Sequence, residues 1–392
     1  MNSRERMLTA IGCGKPDHVP LSFMIFSALR ARSGGWQDFV DRSVELGIDP
    51  VVSLSGAAPS DGAEHSDAPG TPVHYAPGVK IREWRETSPD QRYPVLHKEY
   101  VTPAGTLSVA VNRTDDWPYG DHVPFLNDYI EPRAVKHLVT SPDDLPALRH
   151  LLAEPTDDDL RDYRAAWKEA KGFAAEKGVL LAAGWGVGAD ALAWIFGLTN
   201  AVMTAVDDPD FLDELLDVIS DWNRRRMEVI LDVGVDLFVR RGWYEGTSFW
   251  SPGLFGRFLL PRLQAEAELA HQAGAKFGYI MTVGANQFTD ALLASGVDVV
   301  IGVEDVQDHG MDLAALKEKA HGKLALWGGV NGFLHIEEGT EDDIRKATAA
   351  ALDALGPDGF ILSPVDNIRD PSEAVWKKVL TFVDTWKETV GR

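Results

Sequence analysis

Apolar residues recur along the chain in two alternating rhythms. Short continuous runs of four to eight residues are followed by longer stretches in which apolar positions return every three or four residues. The short runs predict buried strands and the longer ones predict helices with one apolar face. Residues 2–12 predict a first helix, with Met7, Leu8 and Ile11 on one side. The run 19–26 predicts the first strand, 37–47 a helix, and 51–55 the second strand. From 179 the alternation is regular. Strands are expected at 179–183, 237–239, 275–281, 297–303, 324–327 and 359–362, with helices at 208–231, 252–273, 312–320, 341–355 and 372–389 between and after them.

Between 56 and 155 the rhythm breaks. Residues 56–78 are rich in Ala, Pro, Gly, Ser and Asp and predict a loop. Two alternating runs, 80–86 and 95–113, surround Thr102-Pro103-Ala104-Gly105-Thr106 and predict an antiparallel hairpin. This segment reads as an excursion inserted after the second strand of a single domain spanning 1–392. Eight strand–helix alternations predict an α/β fold, a (β/α)8 TIM barrel, because parallel strands need helical crossovers. The competing open doubly wound sheet lacks the Gly-x-Gly-x-x-Gly that would follow a strand in a dinucleotide fold.

In a barrel, the residues just past the strands converge on one pocket. The stretch DLFVRRGWYEGTSFWS, 236–251, is the densest of these ends. It gives paired cations, aromatics and Glu245, then Ser251-Pro252 as a helix start. Arg30, Arg240 and Arg241 can grip an anionic group, although strand alternation lets only one of the adjacent pair face the pocket. Trp185, Trp243, Tyr244 and Tyr279 supply an aromatic wall for a ring, with Trp327 the best candidate for plain core packing. Glu245, Glu304 and Asp366 are the candidate catalytic carboxylates. With Asp305 and a nearby His309 they can also act as metal ligands or helix caps. Asn286, Asn331 and Asn367 are candidate hydrogen-bonding groups at the same rim, or caps.

Composition narrows the partners. The 392 residues include 60 acidic and 38 basic side chains, a formal charge of −22, which disfavours nucleic acid and anionic membranes. No apolar run approaches the roughly 20 residues of a membrane span. The N-terminus lacks a signal-peptide core, and the single cysteine, Cys13, forbids an internal disulfide. A cytoplasmic enzyme acting on a small molecule is expected, and a homodimer is compatible with it.

The order SPGLFGRFLLP, HQAGAKFGYIMTVG, ASGVDVV, MDLAALKEK, LALWGGVN, GFILSPVDN resembles the uroporphyrinogen decarboxylase superfamily. The start, NSRERMLTAIGCGKPDHVPLSF, and the insertion, KEYVTPAGTLSV, resemble it too, so the likeness covers nearly the whole chain. The resemblance implies a (β/α)8 barrel. It also implies one of two activities, cofactor-free decarboxylation of porphyrinogen acetates or methyl transfer between a substrate, a corrinoid and a thiol or folate. Methyltransferases of this group carry a His-x-Cys zinc pair after the fifth strand. Met281 and Val283 stand there, so the usual zinc site is absent and Met281 is expected in the pocket. The arginine-rich segment of the decarboxylases is reduced to SALRARSGG, and their late histidine is replaced by Val365 or Asp366. The favoured expectation is demethylation of a small aromatic substrate with a corrinoid protein as acceptor. The alternatives are a decarboxylase acting on a porphyrinogen-like or aryl acid, and a non-catalytic tetrapyrrole or corrinoid binder.

Overall fold

The computed structural model describes residues 1–53, 74–186, 188–308 and 310–391, the side chain of Trp185 excepted. Most of the predicted loop 56–78, the Trp185 ring and His309 thus lie outside the described residues. The frame is a curled, seven-stranded parallel sheet. Its order is β1 (Val51–Ser53), β6 (Leu180–Gly186), β7 (Leu237–Arg241), β8 (Lys276–Ile280), β9 (Val299–Val303), β10 (Ala325–Asn331) and β11 (Phe360–Val365). Neighbours in the sheet from β6 onward are also neighbours in sequence, the pattern that helical crossovers impose. The crossovers include α5 (Arg161–Lys177), α6 (Gly188–Phe196), α7 (Leu198–Asp207), α8 (Pro209–Asp232), α9 (Leu260–Gln272), α10 (Thr289–Ser295), α11 (Leu313–Ala320) and α12 (Glu341–Leu355), and α13 (Glu373–Val390) follows the last strand.

The expected first strand, 19–26, is not continuous. The segment meets β11 through the bridge Leu21↔Leu362 and meets the turn after it through Ile25↔Asn367; between them the chain bends at Met24, whose N–H donates to the Ser363 side chain at 2.9 Å rather than to a strand carbonyl. The Asp49 N–H donates to the Leu21 carbonyl at 2.7 Å, so the same segment also reaches the approach to β1. The expected hairpin is part of a four-stranded antiparallel sheet, β2 (Lys80–Glu86), β3 (Val95–Thr102), β4 (Gly105–Asn112) and β5 (Ala134–Lys136). Three residues are too few for β5 to show a period, which is why the sequence did not reveal it.

Side-chain alternation divides the parallel strands between two cores. Leu180, Ala182, Leu237, Ile280, Val299, Ile301, Ala325, Trp327 and Ile361 form an inner cluster. Met7, Ala10 and Ile11 of α1 (Ser3–Ile11) join it and pack against β6, β10 and β11. Trp327 is in this inner core as expected, its Nε1 donating to the Ser22 carbonyl at 2.9 Å. Phe238, Phe277, Tyr279, Val300 and Leu326 point the other way, into the larger core under the helices. The ladder shifts register at Gly184/Gly186 and at Trp327/Gly328. Gly184 and Gly328 take φ of 135° and 153°, and a Cβ on either would collide with the backbone of Val239 or Val303. Only glycine meets both conditions.

Candidate functional site

Because β6 to β11 are parallel, their C-terminal ends share one end of the sheet. The inner cluster fills the middle and α1 closes the opposite end, so this mouth is where inward-facing polar groups can gather. The parity of β7 decides which arginine does so. Leu237 and Val239 belong to the inner cluster, and Arg241 shares their face. Arg240 shares the face of Phe238, whose ring stacks on Phe277 in the outer core.

Arg241 is 3% exposed and is held on every side. Its Nη2 donates to both carboxylate oxygens of Asp128 at 2.6 Å, and Oδ2 of Asp190 lies 2.9 Å from its Nε. The guanidinium carbon sits 4.3 Å from the ring centre of Trp243 and 5.0 Å from that of Trp194. Tyr244 gives its hydroxyl to Asp128 at 3.1 Å, as does the Trp194 indole N–H, also at 3.1 Å. Asp128 comes from the insertion, Asp190 and Trp194 from α6, and the rest from the end of β7. Three separate parts of the chain therefore build one cluster.

Asp190 is fully buried. Its Oδ1 accepts the Tyr244 N–H at 3.0 Å, while Oδ2 is without hydrogen-bond geometry to any described group. Burial pushes its pKa up to about 7. Arg241 and Arg240 pull it down, and Glu245 adds to the rise. A buried carboxyl that holds its proton near neutrality is equipped for acid–base work. Burial and the neighbouring Asp128 likewise raise the Tyr244 phenol well above its usual range.

The sequence-predicted residues divide around this cluster. Trp243 and Tyr244 belong to it. Arg240, Glu245 and Tyr279, expected in the pocket, instead form a buried network behind the strands. Glu245 accepts from Arg240 Nη2 at 2.8 Å, from the Ala189 N–H at 2.8 Å and from the Tyr279 hydroxyl at 2.5 Å. Arg240 Nε donates to Glu266 at 2.7 Å, and Glu266 also accepts from Asn223. The reason is strand parity: Tyr279 is the register partner of Arg240, so both face the helices. Met281 is buried in the same outer core.

Glu304 is completely buried at the end of β9. Its oxygens accept the N–H groups of Val306 and Gln307 at 2.7 and 2.8 Å, and the Asn331 side chain joins them; burial nonetheless raises its proton affinity. Asn331 also accepts the Leu334 N–H at 2.7 Å, capping the π-helical turn Gly332–Glu337. Asp366 pairs with Arg369 at 3.3 Å, and Asn367 accepts the Ser27 N–H at 3.1 Å. Asn286 is half-buried in the turn after β8, where its carbonyl accepts the Thr289 hydroxyl. Arg30 turns toward α3 (Trp36–Glu45), 5.0 Å above the Phe39 ring, and makes no ion pair among the described residues. Asp128, Asp190 and Trp194 escaped sequence reasoning. The signal for Asp190 was present: a lone acid inside the apolar run GADALAWIF.

No cluster of three or more His, Cys, Asp or Glu with metal-binding geometry occurs among the described residues. Met281 and Val283 offer no ligand to the zinc of related methyltransferases, so no step is assigned to that metal here. Two surface grooves, of about 670 Å³ beside His271 and about 390 Å³ beside Arg262, lie among the outer helices and include neither Arg241 nor Asp190. No single helix is long and apolar enough to cross a membrane.

The profile described as uroporphyrinogen decarboxylase (URO-D) matches residues 120–388. The chain belongs to the uroporphyrinogen decarboxylase family. Members of this family are enzymes, methyltransferases and decarboxylases among them. A search of curated protein sequences gives no match. Among solved structures, a methyltransferase from Methanosarcina mazei superposes with a TM-score of 0.61 at 17% identity, over 99% of both chains, and shares the fold. A B12-independent methionine synthase from Shewanella sp. W3-18-1 aligns over 57% of this chain and 66% of that one, at 11% identity and a TM-score of 0.41.

Proposed function

We propose that this family member is a cytoplasmic methyltransferase that demethylates a small aromatic substrate and passes the methyl group to a corrinoid protein. We also read the curled sheet as a TIM-type barrel, with segment 19–26 filling the gap between β11 and β1. The observation that carries the function is Asp190: a buried acid, poised near neutrality, beside an aromatic wall at the mouth of the sheet. When a methyl group leaves as a cation equivalent, the electron pair of its bond stays on the heteroatom. In this reading the Asp190 proton neutralises that pair. Trp243 and Tyr244 offer half-buried aromatic surface to the ring. The corrinoid, carried by its own protein, supplies the nucleophile that takes the methyl. The exposed side chains of Phe333 and Leu334, on the turn that follows β10, are apolar surface suited to a macrocycle face.

The test is single-turnover methylation of free cob(I)alamin, with anisole and N,N-dimethylaniline as donors, followed by absorbance. Methylcobalamin should form, and Asp190→Asn should slow it by about 100-fold or more, the usual worth of a general acid. Carbon dioxide release from aryl acids without corrinoid would select the decarboxylase instead. Tight corrinoid binding with no turnover would select a binder.

A further inference from the structure

The charge of the mouth defines the substrate further. Arg241 is a cation at this corner, and its charge is already opposed by Asp128 and Asp190. Its Nη2 is taken by Asp128, its Nε by Asp190, and its two faces by Trp194 and Trp243. One guanidinium thus stands against two carboxyls. Glu304 and Asp308, buried at the end of β9 and just beyond it, are further carboxyls that, among the described residues, meet backbone N–H groups and Asn331 and no cation. Arg30 is turned toward Phe39, and residues 54–73 contain no lysine or arginine in their sequence. What the corner leaves accessible is the Asp128 carboxylate, 43% exposed, with half-buried Tyr244 and Trp243 beside it. A carboxylate flanked by aromatic faces is the chemistry that recognises a cation with an apolar surround.

We infer that the methyl donor is a methylated amine bound as its ammonium cation, rather than an aryl ether or an acid. This rests on the methyl-transfer reading and sharpens it. The nitrogen carries its positive charge beside Asp128, as a tertiary amine that takes its proton from Asp190 on arrival. As the C–N bond breaks, its electron pair stays on nitrogen and a neutral amine departs, while the methyl passes to the corrinoid acceptor. No charged leaving group is created beside the buried carboxyls.

The experiment is equilibrium binding without corrinoid, by calorimetry. Three probes are compared: phenyltrimethylammonium, anisole and 4-methoxybenzoate. The cation should bind at least about tenfold tighter than anisole, and the anion more weakly than either. Asp128→Asn should remove the preference for the cation, with an unchanged circular dichroism spectrum showing that the variant is folded. Equal or tighter binding of 4-methoxybenzoate in the wild-type protein overturns the inference, as does an unchanged preference in the Asp128→Asn variant. The two readings fail separately. Cation selectivity without methylation of cob(I)alamin by N,N-dimethylaniline sinks methyl transfer alone. Methylation by anisole with no cation preference sinks the ammonium alone.

Discussion

Substituting Asp190 by Asn tests the site without any substrate. Folded-state burial raises the Asp190 pKa from 3.8 to about 7, which is worth about 4 kcal/mol between protonated and ionised forms. The sign follows from proton counting. Between these two pKa values the folded protein holds a proton that the unfolded chain has released, so this group's contribution to stability falls as pH rises toward 7 and is level above it. Asparagine resembles the neutral acid in shape and does not titrate. Below about pH 4 the wild-type and Asp190→Asn proteins should therefore be of similar stability, and by pH 5 the variant should already lead by about 1.5 kcal/mol. By pH 8 the variant should be the more stable, by up to about 4 kcal/mol and more realistically about 2, because relaxation softens buried charges. Urea midpoints of both proteins at pH 5, 6, 7 and 8 read this out as a growing gap. A gap that stays constant across that range would refute the assignment of a neutral-range proton to Asp190. A variant that becomes relatively less stable toward pH 8 would show instead that the ionised pair with Arg241 governs.

Arg241→Ala strands two carboxyls around an emptied space, and should cost about 3–5 kcal/mol in thermal or urea unfolding. Arg241→Lys keeps the charge but loses the planar contact with two indoles, so it should recover only part of that loss. Tyr279→Phe removes a buried hydroxyl from Glu245 and should cost about 1–3 kcal/mol, yet leave phenyltrimethylammonium affinity within about twofold because Tyr279 faces away from the mouth. Gly184→Ala drives a Cβ into the Val239 backbone at the β6 bulge, and should show as a lowered melting temperature or loss of soluble protein.

The helix–strand rhythm carried the fold because each strand is a short apolar run and each crossover a periodic one. The same property hid the site. Strands buried on both faces read as unbroken hydrophobic runs, so LFVRR gives no sign of which side is inward. Once Leu237 is known to meet Ile280 and Ile361 in the inner core, counting by twos selects Arg241 and dismisses Arg240 and Tyr279. Asp128 was out of reach for a different reason. It lies in the insertion, 113 residues from its partner, and nothing in a local window links the two. Segment 19–26 failed in the opposite direction, its apolar pattern promising a strand that breaks at the bend at Met24, between its two bridges.

Asp128 also gives the insertion a purpose. Arg241 is nearly inaccessible to solvent, and a buried guanidinium left with the single acid Asp190 would meet a carboxyl that burial tends to protonate. Asp128 keeps the arginine paired whatever the state of Asp190, and so allows Asp190 to gain and lose its proton without unbalancing the site. The neighbouring residues of the insertion are tied to the same helices. Glu131 accepts the Leu198 N–H at the start of α7 at 2.9 Å, and the Val139 N–H reaches the Ile195 carbonyl at the end of α6 at 2.9 Å. The insertion therefore fixes the helix that carries Asp190 and supplies the counter-charge that frees it to titrate. Without Asp128 this chain would keep an arginine at the mouth of its sheet, but no acid free to work beside it.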